Sequence, residues 1–173
     1  MIKKNIVLIG MMAAGKTTIG FKLAKKLKYQ FIDIDTKIED SENEKITDIF
    51  KSRGEEYFRK IEEKVTLFYL ERNKAVISIG GGAFANDRIR RKIKRNSISI
   101  WLNWKIKTIL TRIKKNNRRP LALKMTNKNL TDLYKNRVNF YKSSDFKVNC
   151  DNKNKNEIIN KISKIIKNEN SSN

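Results

Sequence analysis

Ile6-Val7-Leu8-Ile9-Gly10-Met11-Met12-Ala13-Ala14-Gly15-Lys16-Thr17 is the stretch that decides how this chain is read. Residues 6–9 are an apolar run too short, and too closely flanked by polar residues, for a helix, so they predict a buried strand. Residues 10–17 match the pattern Gly, four residues, Gly-Lys-Ser/Thr. A strand, a glycine-bounded turn and a helix aim several backbone N–H groups at one point. The helix start adds partial positive charge there, so the turn can hold a polyphosphate. Lys16 reaches the outer phosphates, and the Thr17 hydroxyl falls where a Mg²⁺ ligand is needed. An ordinary strand-to-helix turn would require neither residue.

Beyond the turn, Ile19, Leu23, Ala24 and Leu27 recur at helical spacing with Gly20 on the same face, while Lys22, Lys25, Lys26 and Lys28 point outward. Phe31-Ile32-Asp33-Ile34-Asp35 then predicts a second strand, parallel to the first through a right-handed crossover. Residues 46–53 and 55–73 read as two helices broken at Gly54, the longer one with an apolar stripe of Phe58, Ile61, Val65 and Phe68. A strand over 75–79 runs into Gly80-Gly81-Gly82. Further helices are predicted near 86–95, 105–115, 127–141 and 156–167, with strands at 98–102 and 146–150 and a break at 116–120. Residues 1–168 suit one domain, and 169–173 a frayed tail. Alternating strands and helices imply an α/β fold with a parallel sheet covered on both faces. Ligands of such sheets bind beyond the carboxyl ends of the strands, where the phosphate loop, the Asp pair and the triple glycine converge.

Asp33 and Asp35, two apart on a strand, would share a face beside that loop. One carboxylate near Mg²⁺ and one near an acceptor hydroxyl is what phosphoryl transfer to an alcohol requires, although an Asp-rich turn capping the next helix has the same sequence. Gly80–Gly82 offer main-chain N–H groups with no side chain in the way. Arg59, three before Glu62, could bind a carboxylate or form a plain surface ion pair. Arg137 falls within the inward stripe of Leu130, Leu133, Tyr134, Val138 and Tyr141, so its guanidinium needs an anion to meet it. Arg118 and Arg119 share a polar loop with the only proline, Pro120, the composition of a lid that brings an arginine over phosphates.

Composition removes other chemistries. There is no histidine, so imidazole bases, Ser-His-Asp triads and His-ligated zinc are excluded, and the single Cys150 excludes an intrachain disulfide. No apolar run reaches the length of a membrane span, and the first strand begins too early for a leader, so a cytoplasmic protein is expected. The formal net charge of +22 could serve nucleic acid. Lysine outnumbers arginine 29 to 11 along almost the whole length, which points instead to a compositional bias and to no specific nucleic-acid partner.

Taken together, Gly10–Thr18 with Ile19-Gly20, Phe31–Asp35, Ile46-Thr47-Asp48-Ile49-Phe50, Gly54-Glu55, Phe58-Arg59-Lys60-Ile61-Glu62, Gly80-Gly81-Gly82-Ala83, Arg119-Pro120-Leu121 and Arg137 before Tyr141 resemble the shikimate kinases. The resemblance implies a three-layer P-loop kinase fold with a five-stranded parallel sheet in the order 2-3-1-4-5, a substrate subdomain over about 34–62 and a lid over about 113–126. It implies ATP-dependent phosphorylation of the shikimate 3-hydroxyl by a monomer. Gly10, Met12, Ala13, Ala14, Gly15, Lys16, Thr17 and Thr18 would surround the ATP phosphates, and Thr17 and Asp33 would hold Mg²⁺. Asp35 would bind substrate hydroxyls and act as base, Arg59 and Arg137 would clamp the carboxylate, and Gly81 and Gly82 would lie close to the ring. Arg119 would descend with the lid, Arg112 would lie over adenine, and residues 151–155 would flank it. Related kinases of gluconate or of nucleoside monophosphates are the alternative, and a nucleotide-dependent nucleic-acid-binding protein a more distant one. One residue departs from the family pattern. Ala13 stands where glycine is usual, and it is harmless if its φ is negative, which is the expectation from the intact flanking glycines.

Overall fold

The computed structural model describes residues 5–115 and 125–171. Five parallel strands, β1 Asn5–Ile9, β2 Gln30–Asp33, β3 Ala75–Ser78, β4 Ser97–Asn103 and β5 Phe146–Asn149, form one sheet in the order β2-β3-β1-β4-β5. Among the described residues the helices are α1 Lys16–Leu27, α2 Ile34–Glu42, α3 Ile46–Leu70, α4 Asp87–Asn96, α5 Ile106–Lys114, α6 Asn127–Tyr141 and α7 Lys155–Ser171, with a 3₁₀ turn at Ala83–Ala85.

The central strand β1 is buried along its length, and its alternation builds the three layers. Ile6 and Leu8 face the side covered by α1, α5 and α7, where they meet Leu23, Ile109 and Ile162. Val7 and Ile9 face the other side, with Phe58 and Leu70 of α3 and Ile89 and Ile93 of α4. A slip of one residue would exchange the two sets, so the register is fixed by burial on both faces. Asn5, only 1% exposed, ties the layers at the lower rim. Its amide donates to Leu70 O and Arg72 O, and its carbonyl oxygen accepts from Ala75 N.

The structure differs from the expected elements in three places. The second strand ends at Asp33, because the Asp33 carboxylate accepts the Asp35 N–H at 3.1 Å and starts α2 there. The two helices expected around Gly54 are present, joined as α3 across a kink at that residue (φ 79°, ψ 176°). Its buried line is Phe58, Glu62, Thr66 and Leu70, an i, i+4 row. Phe68 is instead 58% exposed, edge-on to Tyr69 and under Arg72. Finally, α7 stays helical to Ser171 where a frayed end was expected at 169, since neither Gly nor Pro stops it.

Cys150, just past β5, is fully buried, and burial pushes its thiol up to about 12, with Asp151 adding to the shift. An acid whose folded-state pKa is raised stays protonated in the native state while the unfolded chain ionises. The linked stability therefore falls as pH rises above the ordinary thiol value. A Cys150→Ala variant is expected to lose less stability than the parent between about pH 9 and pH 11 in urea titrations. Iodoacetamide should modify the native thiol at least about 100-fold more slowly than the denatured one.

Candidate active site

Between β1 and α1 the chain curls through three residues of positive φ, Gly10 (144°), Ala13 (60°) and Gly15 (84°). Gly10 must also be small, because a Cβ would stand 3.0 Å from Leu102 O. Gly15 begins α1 without a capping side chain, which leaves the first-turn amides available to an anion. Lys16 is 7% exposed and lies along the loop, its Nζ donating to Gly10 O at 2.9 Å and Met11 O at 3.1 Å. Ala13 corrects the expectation of a negative φ. At φ 60° its Cβ crowds its own carbonyl, at a cost of about 1–2 kcal/mol that glycine would not incur.

Thr17 Oγ1 donates to Asp33 Oδ2 at 2.7 Å, so a hydroxyl and a carboxylate meet at the base of the loop. These are hard oxygen donors of the kind that bind Mg²⁺ together with phosphate oxygens, and no fuller metal cluster of acidic or sulfur side chains occurs among the described residues. Asp35 does lie beside Asp33, but through a turn of helix rather than on one strand face. Asp33 caps α2 and also faces the phosphate loop through Thr17.

Two clefts flank the loop and share Gly15, Thr18 and Arg112. One, of about 740 Å³, lies over Ala14 and α1 and is closed by Trp104, Arg112 and residues Lys153, Asn154 and Lys155. The other, of about 690 Å³, runs from Met12, Lys16 and Thr17 to Asp35, Arg59, Glu62, Gly81, Gly82 and Arg137.

The second cleft is organised by a buried carboxylate. Glu62 is 2% exposed and receives Arg59 Nη1 on its Oε2 at 2.6 Å, while Glu55 holds the other side of the same guanidinium at 2.9 Å. Burial raises Glu62, with the Asp35 charge adding, although Arg59 and Arg137 pull it down. Burial alone would lower Arg59, but Glu62 and Glu55 together lift it above its ordinary value. Arg137 goes the other way, lowered by burial and by the Arg59 charge. Its Nη1 rests 3.6 Å from Met11 Sδ, and among the described residues no carboxylate lies within ion-pair distance of it. An anion entering the cleft would meet two guanidiniums, one already held by two carboxylates and one, beside Tyr141 and Met11, with none in reach among the described residues.

The triple glycine is shaped for these side chains more than for a ligand. A Cβ on Gly80 would lie 2.1 Å from Glu62 Oε1, one on Gly82 2.8 Å from Arg59 Nη1, and one on Gly81 3.2 Å from Arg137 Nη1. Each glycine leaves room for one charged group. The Tyr141 hydroxyl, buried against Trp101, donates to Gly81 O and fixes the segment from the far side. Gly81 and Gly82 nevertheless line the cleft.

The family model for shikimate kinase matches residues 12–167. The shikimate kinase of Persephonella marina is 39% identical over 159 residues, covering 92% of this chain and 96% of its own. The chain belongs to the shikimate kinase family. Among solved structures, the shikimate kinase from Acinetobacter baumannii in complex with shikimate superposes with a TM-score of 0.89 at 32% identity, covering 94% of this chain and 92% of that one. A gluconokinase from Sinorhizobium meliloti reaches a TM-score of 0.59 at 15% identity over 96% of this chain and 95% of its own, a likeness of fold alone.

Of the residues that the family resemblance singled out, Met12, Ala13, Ala14, Gly15, Lys16, Thr17, Thr18, Asp35, Arg59, Gly81, Gly82, Arg112 and Arg137 line one or both clefts, and Gly10 and Asp33 support them. Arg118, Arg119, Pro120 and most of the lid over 113–126 lie outside the described residues. Four residues of the site were not singled out: Glu62 as a buried anchor, Met11, Trp104 and Tyr141. Only Glu62 carried a signal, a carboxylate four residues after Phe58 on an inward helical face. Relieving the strained loop residue tests the backbone reading: Ala13→Gly is expected to raise the thermal midpoint by about 2–4 °C per kcal/mol recovered.

Proposed function

We propose that the chain transfers the γ-phosphate of ATP to the 3-hydroxyl of shikimate, yielding shikimate 3-phosphate and ADP. The observation that carries this reading is the pair of clefts on either side of one phosphate loop, the second lined by Asp35, Arg59 and Arg137. ATP would place its base between Arg112 and residues 153–155 and its phosphates along the loop amides and Lys16. Shikimate would bind with its carboxylate between Arg59 and Arg137 and its hydroxyls toward Asp35. Asp35 accepts the hydroxyl proton as the oxygen attacks the γ-phosphorus and the bond to the bridging oxygen of ADP breaks. Thr17 and Asp33 would hold Mg²⁺, which supplies charge neutralisation at the phosphates. Arg119 would complete that neutralisation from the lid. Both clefts are built by one chain, which supports a monomer, and dependence on ATP fits action in the cytoplasm.

The arginine pair would also suit another hydroxy-acid such as gluconate, and a nucleoside monophosphate would want a base pocket on the acceptor side. ADP release measured across shikimate, gluconate and nucleoside monophosphates is expected to show turnover with shikimate, and preferential turnover of either alternative would replace this reading. Lys16→Ala should abolish activity, and Asp35→Asn should lower kcat by about 10²–10⁴-fold. Normal turnover by the Asp35 variant would remove its role as base.

Arg137→Ala is expected to raise KM for shikimate by about 10–100-fold, the worth of a charged hydrogen bond, with ATP affinity nearly unchanged. An effect on ATP alone would move Arg137 to the nucleotide side.

A further inference from the structure

Trp104 lies one residue past β4, is 5% exposed, and touches three elements of the nucleotide side at once. Its indole N–H donates to Ala14 O of the phosphate loop at 3.0 Å. Its carbonyl accepts the Tyr134 hydroxyl of α6 at 2.9 Å. The Arg112 guanidinium carbon, on α5, stands 3.6 Å from the centroid of its ring, the distance of a flat stack. Arg112 is half-buried and lines the cleft beside the loop. Its Nη1 also leans toward Ala13 O at 3.5 Å.

A guanidinium laid flat on an indole has one face covered and the other available to a second planar π-system. Arginine is a flexible side chain that loses rotamer freedom when a ligand orders it. Stacked on Trp104, Arg112 has already lost that freedom, so less is lost on binding. We propose that Trp104 is a positioning residue for the nucleotide base: its ring holds Arg112 as a pre-set platform on which a purine stacks. The proposal rests on reading this cleft as the ATP site. It makes base affinity depend on a largely buried residue of the cleft wall that acts through the arginine, and it separates the base contact from the phosphate contact.

The test is calorimetric binding of ADP to the full chain and to two variants. Trp104→Phe keeps an aromatic ring and should bind ADP within about 3-fold of the parent, whereas Trp104→Leu should bind it about 10-fold more weakly. Inorganic tripolyphosphate carries no base and should compete equally against all three proteins, and KM for shikimate should move by less than about 2-fold. Unchanged ADP affinity in Trp104→Leu would overturn the proposal. So would parallel loss of ADP and tripolyphosphate binding, which would mark a distorted loop. A second measurement keeps Trp104 intact: in a Trp101→Phe variant the remaining indole fluorescence should change on adding ADP and not on adding shikimate. No response to ADP would count against the platform. Were the parent chain to bind ADP without phosphorylating shikimate, the functional reading would fall while the platform comparison would still be decided.

Discussion

The ion pair between Glu62 and Arg59 is the contact on which the acceptor side of this protein depends. A carboxylate 2% exposed is costly unless it is met by a cation and further donors, and breaking such a pair leaves an uncompensated buried charge. Its demands spread outward. Gly80 can carry no Cβ, since Glu62 Oε1 fills that space, and Gly82 can carry none because Arg59 does. Glu55, one turn earlier on α3, holds the far side of the same guanidinium, so Arg59 is aimed by two carboxylates. Glu62 also sits close enough to Asp35 for their charges to interact, which links the Arg59 anchor to the second carboxylate of the cleft.

The nucleotide side is organised differently, by backbone and stacking in place of buried ions. Positive φ at Gly10, Ala13 and Gly15 turns amides inward, and Lys16 lies across the loop carbonyls. Trp104 and Arg112 close the cleft by a π-stack. α6 spans both sides with residues on one face: Tyr134 reaches Trp104 O, Arg137 enters the acceptor cleft, and Tyr141 meets the triple glycine. This helix therefore fixes the walls of the two clefts relative to each other.

Charge is unevenly distributed along the chain. Residues 33–87 hold 13 of the 18 carboxylates and only 9 of the 40 Lys and Arg, so that segment is net negative while the rest of the chain carries the excess cations. The acidic segment contains α2 and α3, and the basic remainder contains α1, α5 and α7 on one face of the sheet and α4 beside α3 on the other.

The amino-acid sequence by itself determined the strand–loop–helix start, the alternation of strands and helices, the glycines and the two arginines that line the second cleft. These are local signals: a period of two or of 3.6, and residue types whose backbone or charge has few alternatives. Tertiary structure decided the rest. Ala13 takes a positive φ within the loop between β1 and α1, which no neighbouring residue announces. Phe68 is exposed and Thr66 buried because the direction in which α3 crosses the sheet selects its inward row. Trp104 reads in sequence as one more core aromatic. Its role comes from partners 8, 30 and 90 positions away, Arg112, Tyr134 and Ala14, and separations of that kind are closed only by the fold.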